Sequence, residues 1–372
     1  MKYYIIAGEA SGDLHGSNLI RGLFAEDPEC EVRMMGGDLM AAAGGTLVGH
    51  YRDTAVMGAV EVLGSLGKIR RRMSLCKRDI LSWKPDAVIL VDYPGFNLKI
   101  AKFAHRRGFK VFYYIAPKVW ARGEGRIRQI KKYVDMLYII FPFEIEYFRK
   151  KGVEARYFGN PLVGGIARSP RQTVLDGGPC IALLAGSRKA ELKFMMPRIM
   201  ELEKLLEKDE RFAPYRLVIA GAPSMSFSDY DKWRGRDSKI KVVFDRTYSL
   251  LEQSAAAVVC SGTASLEAAI IGTPQVVCYG FNRITYMLAR LLVKGIRYIS
   301  LANLILDRQI FKELIQKNAS PENIYSELCS LVFDPDRIGA MKEDYRQLNE
   351  KLGGEEASLK IAKDIYNETA LL

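Results

Sequence analysis

No window of this 372-residue chain holds roughly 18 uninterrupted apolar residues, which excludes a membrane-spanning helix. Cysteine is sparse and scattered. Cys30, Cys76, Cys180, Cys260, Cys278 and Cys329 form no CxxC pair, so a zinc knuckle or disulfide framework is not expected, and free thiols in a reducing cytoplasm are. Histidine is scarcer still, and His15, His50 and His105 lack metal-ligand spacing, so no metal and no cofactor is expected. The opening "MKYYIIAGEASGD" has too few apolar residues before Glu9 for a secretory signal, and a cytoplasmic protein is expected. Acids are outnumbered by bases: 43 Asp and Glu face 55 Lys and Arg, a formal charge of +12. Such an excess suits nucleic acid, an anionic membrane or a phosphorylated substrate. The chain carries no aromatic RNA-binding signature or basic recognition helix, so nucleic acid is not the expected partner.

What is present is a repeated alternation of short β-rich runs with amphipathic stretches, the pattern of parallel α/β sheets. In the first half the runs are 3–8, 31–37, 86–92, 110–117, 135–142 and 155–161, with helices predicted over 97–107 and 143–151. "VGGIARSPRQTVLDGGP" (163–179) has no periodicity and reads as a connection between domains. A second series follows at 180–187, 215–223, 239–245, 255–262 and 274–280, with a helix over 191–210 in which Pro197 falls near the first turn or makes a kink. The predicted fold is α/β, two Rossmann-like doubly wound domains facing a cleft: 1–165, 166–345, and a carboxyl-terminal helix within 346–372 that packs back on the amino-terminal domain.

Three turns carry the chemistry. "IIAGEASGDLHG" (5–16) fits neither GxGxxG nor GxxxxGK[ST], and Glu9 and Asp13 would repel a phosphate. Gly8, Glu9, Ser11, Gly12 and Asp13 suit hydrogen bonding to sugar hydroxyls or removal of a proton from one; the alternative is a tight turn with Asp13 as a helix cap. "LLAGSRKAEL" (183–192) offers the amides of Gly186 and Ser187 and the Arg188 guanidinium as a diphosphate site, or simply a surface arginine beside a turn. "VVCSGTASLEAAIIGTPQVV" (258–277) places Ser261, Gly262, Thr263 and Ser265 before Glu267, which is positioned to accept hydrogen bonds from a ribose; the alternative is an N-cap followed by a solvent-facing acid.

"AGEASGD", "MGAVEVL" (57–63), "VDYPGFN" (91–97), "GNPLV" (159–163), "AGSRKAE" (185–191), "SGTASLEAA" (261–269) and "ISLANLILDR" (299–308), in this order, resemble the lipid-A-disaccharide synthase family. The resemblance implies an inverting, metal-independent glycosyltransferase of GT-B fold. Such an enzyme joins UDP-2,3-diacylglucosamine to 2,3-diacylglucosamine 1-phosphate (lipid X), releasing UDP and the β-1,6 disaccharide of lipid A. The first domain would then hold the acceptor, with Asp92, Glu9 and Asn97 near the attacking hydroxyl, and the second would hold UDP, with Arg188 on the leaving diphosphate. The resemblance also implies a homodimer with exchanged carboxyl-terminal segments, Asn303 reaching the partner's donor site.

The chain departs from this family at three points. Gly95 stands where many relatives carry an aspartate that is a leading candidate for the catalytic base, Arg122 where tryptophan is common, and Ala302 where proline is usual. Asp92 and Glu9 are then the nearby acids, with His15 behind them. The stretch 54–78 joins apolar residues to Lys68, Arg70, Arg71, Arg72, Lys77 and Arg78, and reads as an element lying peripherally on the anionic cytoplasmic face of the inner membrane, or as a buried helix with a solvated end. Other functions compatible with these patterns are a different GT-B UDP-sugar enzyme, such as a UDP-GlcNAc epimerase or the peptidoglycan-precursor transferase, and a non-catalytic lipid-binding protein.

Overall fold

The computed structural model describes residues 1–54, 62–119, 125–174, 177–235, 237–260, 262–280 and 297–371. Ser261, Arg122 and most of "MGAVEVL" lie outside them. The chain forms two compact units, Met1–Gly164 with Gly353–Leu372, and Gly165–Leu352.

The first unit is built on β1 (Lys2–Ala7), β2 (Glu31–Gly36), β3 (Thr46–His50), β4 (Ala87–Val91), β5 (Lys110–Tyr114), β6 (Met136–Ile139) and β7 (Ala155–Tyr157), in the order β3-β2-β1-β4-β5-β6-β7. All its pairings are parallel, with Ala7 opposite Val91 at the centre. Both faces are covered, so successive residues of a strand are all buried. Tyr4 and Ile6 enter one core with Val88 and Leu90, while Tyr3, Ile5 and Ala7 enter the other with Ile89 and Val91. This is why the strands read as unbroken apolar runs. The strand order reverses between β1 and β4, and ligands of open α/β sheets bind beyond the carboxyl ends of strands at such a point.

Helices α1 (Ala10–Glu26), α2 (Asp38–Ala42), α3 (Val62–Trp83), α4 (Pro94–His105), α5 (Gly125–Tyr133), α6 (Phe143–Lys150) and α7 (Pro161–Ala167) follow their strands. The second unit carries β8 (Cys180–Leu184), α8 (Lys189–Glu207), β9 (Arg216–Gly221), α9 (Phe227–Asp231), β10 (Lys241–Phe244), α10 (Thr247–Gln253), β11 (Ser254–Cys260), α11 (Thr263–Ile271), β12 (Gln275–Tyr279), α12 (Leu301–Leu306), β13 (Glu313–Ile315), α13 (Pro321–Phe333) and α14 (Pro335–Leu352). Its sheet is again parallel, ordered β10-β9-β8-β11-β12-β13, with its reversal between β8 and β11. Pro197 lies inside α8, beyond the first turn, and the helix runs on through it.

The tail, 346–372, holds the end of one helix and the whole of another. Residues up to Leu352 complete α14 in the second unit; the chain turns at Gly353, and α15 (Ala357–Ala370) belongs to the first. There Ile361, Ala362 and Ile365 join the core under α1, and Asp364 accepts from the Tyr138 hydroxyl at 2.7 Å and from Arg156. Gly22 makes the close approach of α1 and α15: a β-carbon there would stand 2.6 Å from Cβ of Ala362. Gly22→Val overfills this contact, and a stability loss of about 1–3 kcal/mol is expected in chemical denaturation, the range of core overpacking. An unchanged midpoint would show that the two helices separate at little cost.

Candidate active site

At the β1–β4 reversal, β1 ends at Ala7 and Glu9 is the N-cap residue of α1, extended, with an exposed carboxylate that makes no capping bond. Asp92 follows β4 and, like Tyr93, has a left-handed backbone (φ 46° and 47°). Two successive non-glycine residues in that region are strained, and such strain gathers at functional sites. Backbone bonds hold the turn: the Asp92 amide donates to the Tyr114 carbonyl at 2.9 Å, and its carbonyl accepts from Asn97 Nδ2 at 2.8 Å and the Tyr113 hydroxyl at 2.7 Å. Burial, then the charge of Glu9, raise the Asp92 carboxyl above its ordinary value, against the Tyr93 amide and the Lys118 ammonium, which favour the charged form. Glu9 and Asp92 thus stand at the ends of adjacent strands, near enough for the charge of one to bear on the other. Lys118 joins them from beyond β5, a neighbour that only the strand order brings in.

Other residues expected at this site turn inward. Asp13 is almost fully buried, and its carboxylate accepts from the amides of Gly37 (2.8 Å), Leu39 (3.1 Å) and Met40 (3.2 Å). It caps the start of α2 instead of facing a substrate. Asn97 is buried too; its Nδ2 donates to the carbonyls of Ile6, Val91 and Asp92, which makes it a tie between the strand ends and the Asp92 turn. Gly12 is buried and close to β1, a β-carbon there lying a tight 3.2 Å from Cβ of Ala7, and a β-carbon on Gly8 would meet the Tyr93 ring at 2.2 Å. These glycines let α1 and Tyr93 close on the backbone. Ser11 stays exposed in the first turn of α1. His15 is packed edge-on against Tyr114, and burial lowers its imidazole to about 4.

In the second unit, a cavity of about 320 Å³ opens at the carboxyl ends of β8 and β11, lined by Gly186, Ser187, Arg188, Glu191, Pro223, Thr247, Gly262, Thr263 and Glu267. Gly186 (φ 105°) and Gly262 (φ 124°) have backbone conformations that side-chain-bearing residues rarely adopt, and each turns the chain from a strand end into a helix. Arg188 is the N-cap residue of α8 and 80% exposed. Burial raises the Glu267 carboxyl, and the Tyr248 hydroxyl donates to it at 3.0 Å. Ser265 does not join them: it is buried, its hydroxyl donating to the Gly262 carbonyl at 2.9 Å. Asn303 is buried as well, donating to the Phe311 carbonyl and Glu313 and accepting from the Ile310 and Phe311 amides. Within this chain the side chain ties α12 to the residues that lead into β13. A larger cavity of about 460 Å³ lies at the opposite end of this sheet, between Glu203, Phe212, Arg216 and Lys241. It is away from the carboxyl ends of the strands.

Residues 3–366 match the lipid-A-disaccharide synthetase family. Lipid-A-disaccharide synthases of Trichlorobacter lovleyi and Nitrosococcus oceani are 36% and 37% identical, over 96% and 94% of this chain and 95% and 92% of theirs. The chain belongs to the lipid-A-disaccharide synthase family. As a member it is a glycosyltransferase of lipid A biosynthesis. Solved structures of the glycotransferase of kitacinnamycin (TM-score 0.67, 15% identity, 99% of this chain and 98% of that one) and of a Neisseria meningitidis UDP-GlcNAc 2-epimerase (0.67, 13%, 100% of each) share its fold, the GT-B class. Gly95 stands where the resemblance of the sequence leads to the expectation of an acid. It lies exposed in the first turn of α4, and a β-carbon there would meet nothing within 4 Å. A side chain at this position would therefore enter open space.

Proposed function

We propose that this synthase transfers 2,3-diacylglucosamine from UDP-2,3-diacylglucosamine to the 6-hydroxyl of lipid X with inversion. Asp92 takes the hydroxyl proton as its oxygen attacks the anomeric carbon; the bond to the diphosphate breaks and UDP leaves with that electron pair. Arg188 and the Gly186–Arg188 turn stabilise the charge on the leaving phosphate, and Glu267 accepts from the ribose. Family membership carries this reading, supported by two acids at the strand ends of one sheet reversal and a cavity with two glycine turns and an arginine at the other. The test is incubation of the purified protein with both acylated sugars and mass spectrometry for the disaccharide and UDP. Formation of an epimerised UDP-sugar, or no product, would overturn it.

The reading includes peripheral attachment to an anionic membrane. Among the described residues no helix is long and apolar enough to cross one. Lys68, Arg70, Arg71 and Arg78 are exposed on α3, Lys99 and Lys102 on α4, and Arg126, Arg128, Lys131 and Lys132 on α5, three helices that cover one face of the first sheet. Arg72 must be removed from the set expected to meet lipid, because it is buried and donates to the His50 carbonyl at 3.1 Å. Arg70→Gln with Arg71→Gln is expected to weaken binding to anionic vesicles by about ten-fold or more, at about 1 kcal/mol per cation near such a surface. Arg72→Gln should lower stability instead. Vesicle binding that is indifferent to Arg70 and Arg71 would place the membrane contact elsewhere.

A further inference from the structure

Glu191 was passed over in the sequence, yet its carboxylate occupies the turn read above as the diphosphate site. Oε2 accepts from the amides of Ser187 at 2.8 Å and Arg188 at 3.2 Å, and Oε1 accepts from the Arg188 guanidinium at 3.1 Å. These are donors that a diphosphate needs, because carboxylate and phosphate oxygens seek the same charge-assisted partners. The side chain is pressed onto the turn: a β-carbon on Gly186 would stand 2.5 Å from Glu191 Cβ and 2.6 Å from Oε2. The bond to the Arg188 amide is the usual return contact of a capping box, but the carboxylate goes further, to the Ser187 amide one residue before the N-cap and to the Arg188 side chain, which is 80% exposed. The turn has a second support in the Ser224 hydroxyl, which donates to the Ser187 carbonyl at 2.7 Å, so it need not collapse when the carboxylate leaves.

We propose that Glu191 is a built-in stand-in for the donor diphosphate. In the empty enzyme it keeps two amides and the guanidinium aimed at one point. Two anions cannot share those donors at close range without strong repulsion, so the carboxylate swings out by side-chain rotation when the diphosphate docks. It returns as UDP departs, which makes it a positioning residue that weakens product retention. The proposal rests on the diphosphate lying at this turn, and the experiment separates the two ideas.

Calorimetric titration of the full chain with UDP and with uridine is the measurement, on the wild type, Glu191→Gln and Arg188→Ala. Gln keeps an oxygen for the amides but removes the competing charge. UDP should bind Glu191→Gln about ten-fold more tightly, the scale of one like charge removed at close range near a surface, and uridine should bind as before. Product inhibition by UDP should strengthen in step, and the KM for the donor should fall. Glu191→Asp, one methylene short of the Ser187 amide, should shift UDP affinity in the same direction and serves if the Gln variant misfolds. Unchanged or weaker UDP binding in folded Gln and Asp variants, with uridine unaffected, would reduce Glu191 to a helix cap and overturn the proposal. If instead the wild type binds UDP no better than uridine and Arg188→Ala changes neither, the diphosphate is not at this turn, and both readings fall.

Discussion

Asp92→Asn is expected to lower turnover by about 100- to 10,000-fold, the contribution of a positioned general base, while UDP binding to the other unit persists. The pH dependence gives the sharper check. A base works only when deprotonated, and Asp92 has its pKa raised by burial and by Glu9, so activity should fall on the acid side through a pKa above the ordinary 3.8 of an aspartate. Glu9→Gln removes the charge that, with burial, holds that value up. Its acid limb should therefore move to lower pH, with turnover at neutral pH largely kept. If Glu9 is itself the base, the result inverts: Glu9→Gln abolishes turnover and Asp92→Asn is mild. Gly95→Asp offers a rescue, since its side chain would enter open space in the first turn of α4; regained turnover in the Asp92→Asn background would show that an acid at either position reaches the same hydroxyl.

Arg188→Ala should cost roughly 100-fold or more in turnover, the scale set by removing one preorganised electrostatic donor from a developing anion. The guanidinium starts the cavity-lining helix α8 and is held by Glu191, so it is available at the turn without being buried there. Its effect should appear more in turnover than in donor KM, because charge on the phosphate grows as the bond to the sugar breaks. A folded variant with near-normal rates would remove the diphosphate from the β8–α8 turn. The affinity for uridine should not move.

The central strands were legible because both sides of each sheet are covered, and burial on two sides writes an apolar run into the sequence. β3 and β13 were not. "TLVGH" ends in Gly49 and His50 and "ELI" has only three residues, so neither carries the same signal; edge position alone does not decide this, since β7 and β10 are outermost too and were read from longer runs. The site residues divide on similar lines. Glu9, Asp92, Arg188, Gly262 and Thr263 stand at strand ends or helix starts, places that local pattern can find. Asp13, Asn97, Ser265 and Asn303 have the chemistry of ligands and spend it on the protein. What decides this for Asp13 is the amide of Gly37, and for Asn97 the carbonyl of Ile6, partners distant in sequence that only the assembled sheet supplies. Glu191 errs the other way, looking like routine helix charge until its contacts are seen.

The placement of α15 gives this protein an order of assembly. The amino-terminal sheet finds the Ile361, Ala362 and Ile365 that complete one of its cores only after everything between Gly165 and Leu352 has been made. At roughly 5–20 residues per second, a ribosome spends on the order of ten seconds or more on that stretch, during which Leu19, Ile20 and Leu23 of α1 lack their cover. The second unit, contiguous in sequence, can finish first although it is made second. Nascent chains arrested before residue 353 should accordingly be cut by protease in the first unit, and a twenty-residue peptide of sequence 353–372 added in trans should protect them. Protection without the peptide would mean that α1 finds enough shelter alone, and that the usual rule of amino-terminal domains folding first holds for this chain too.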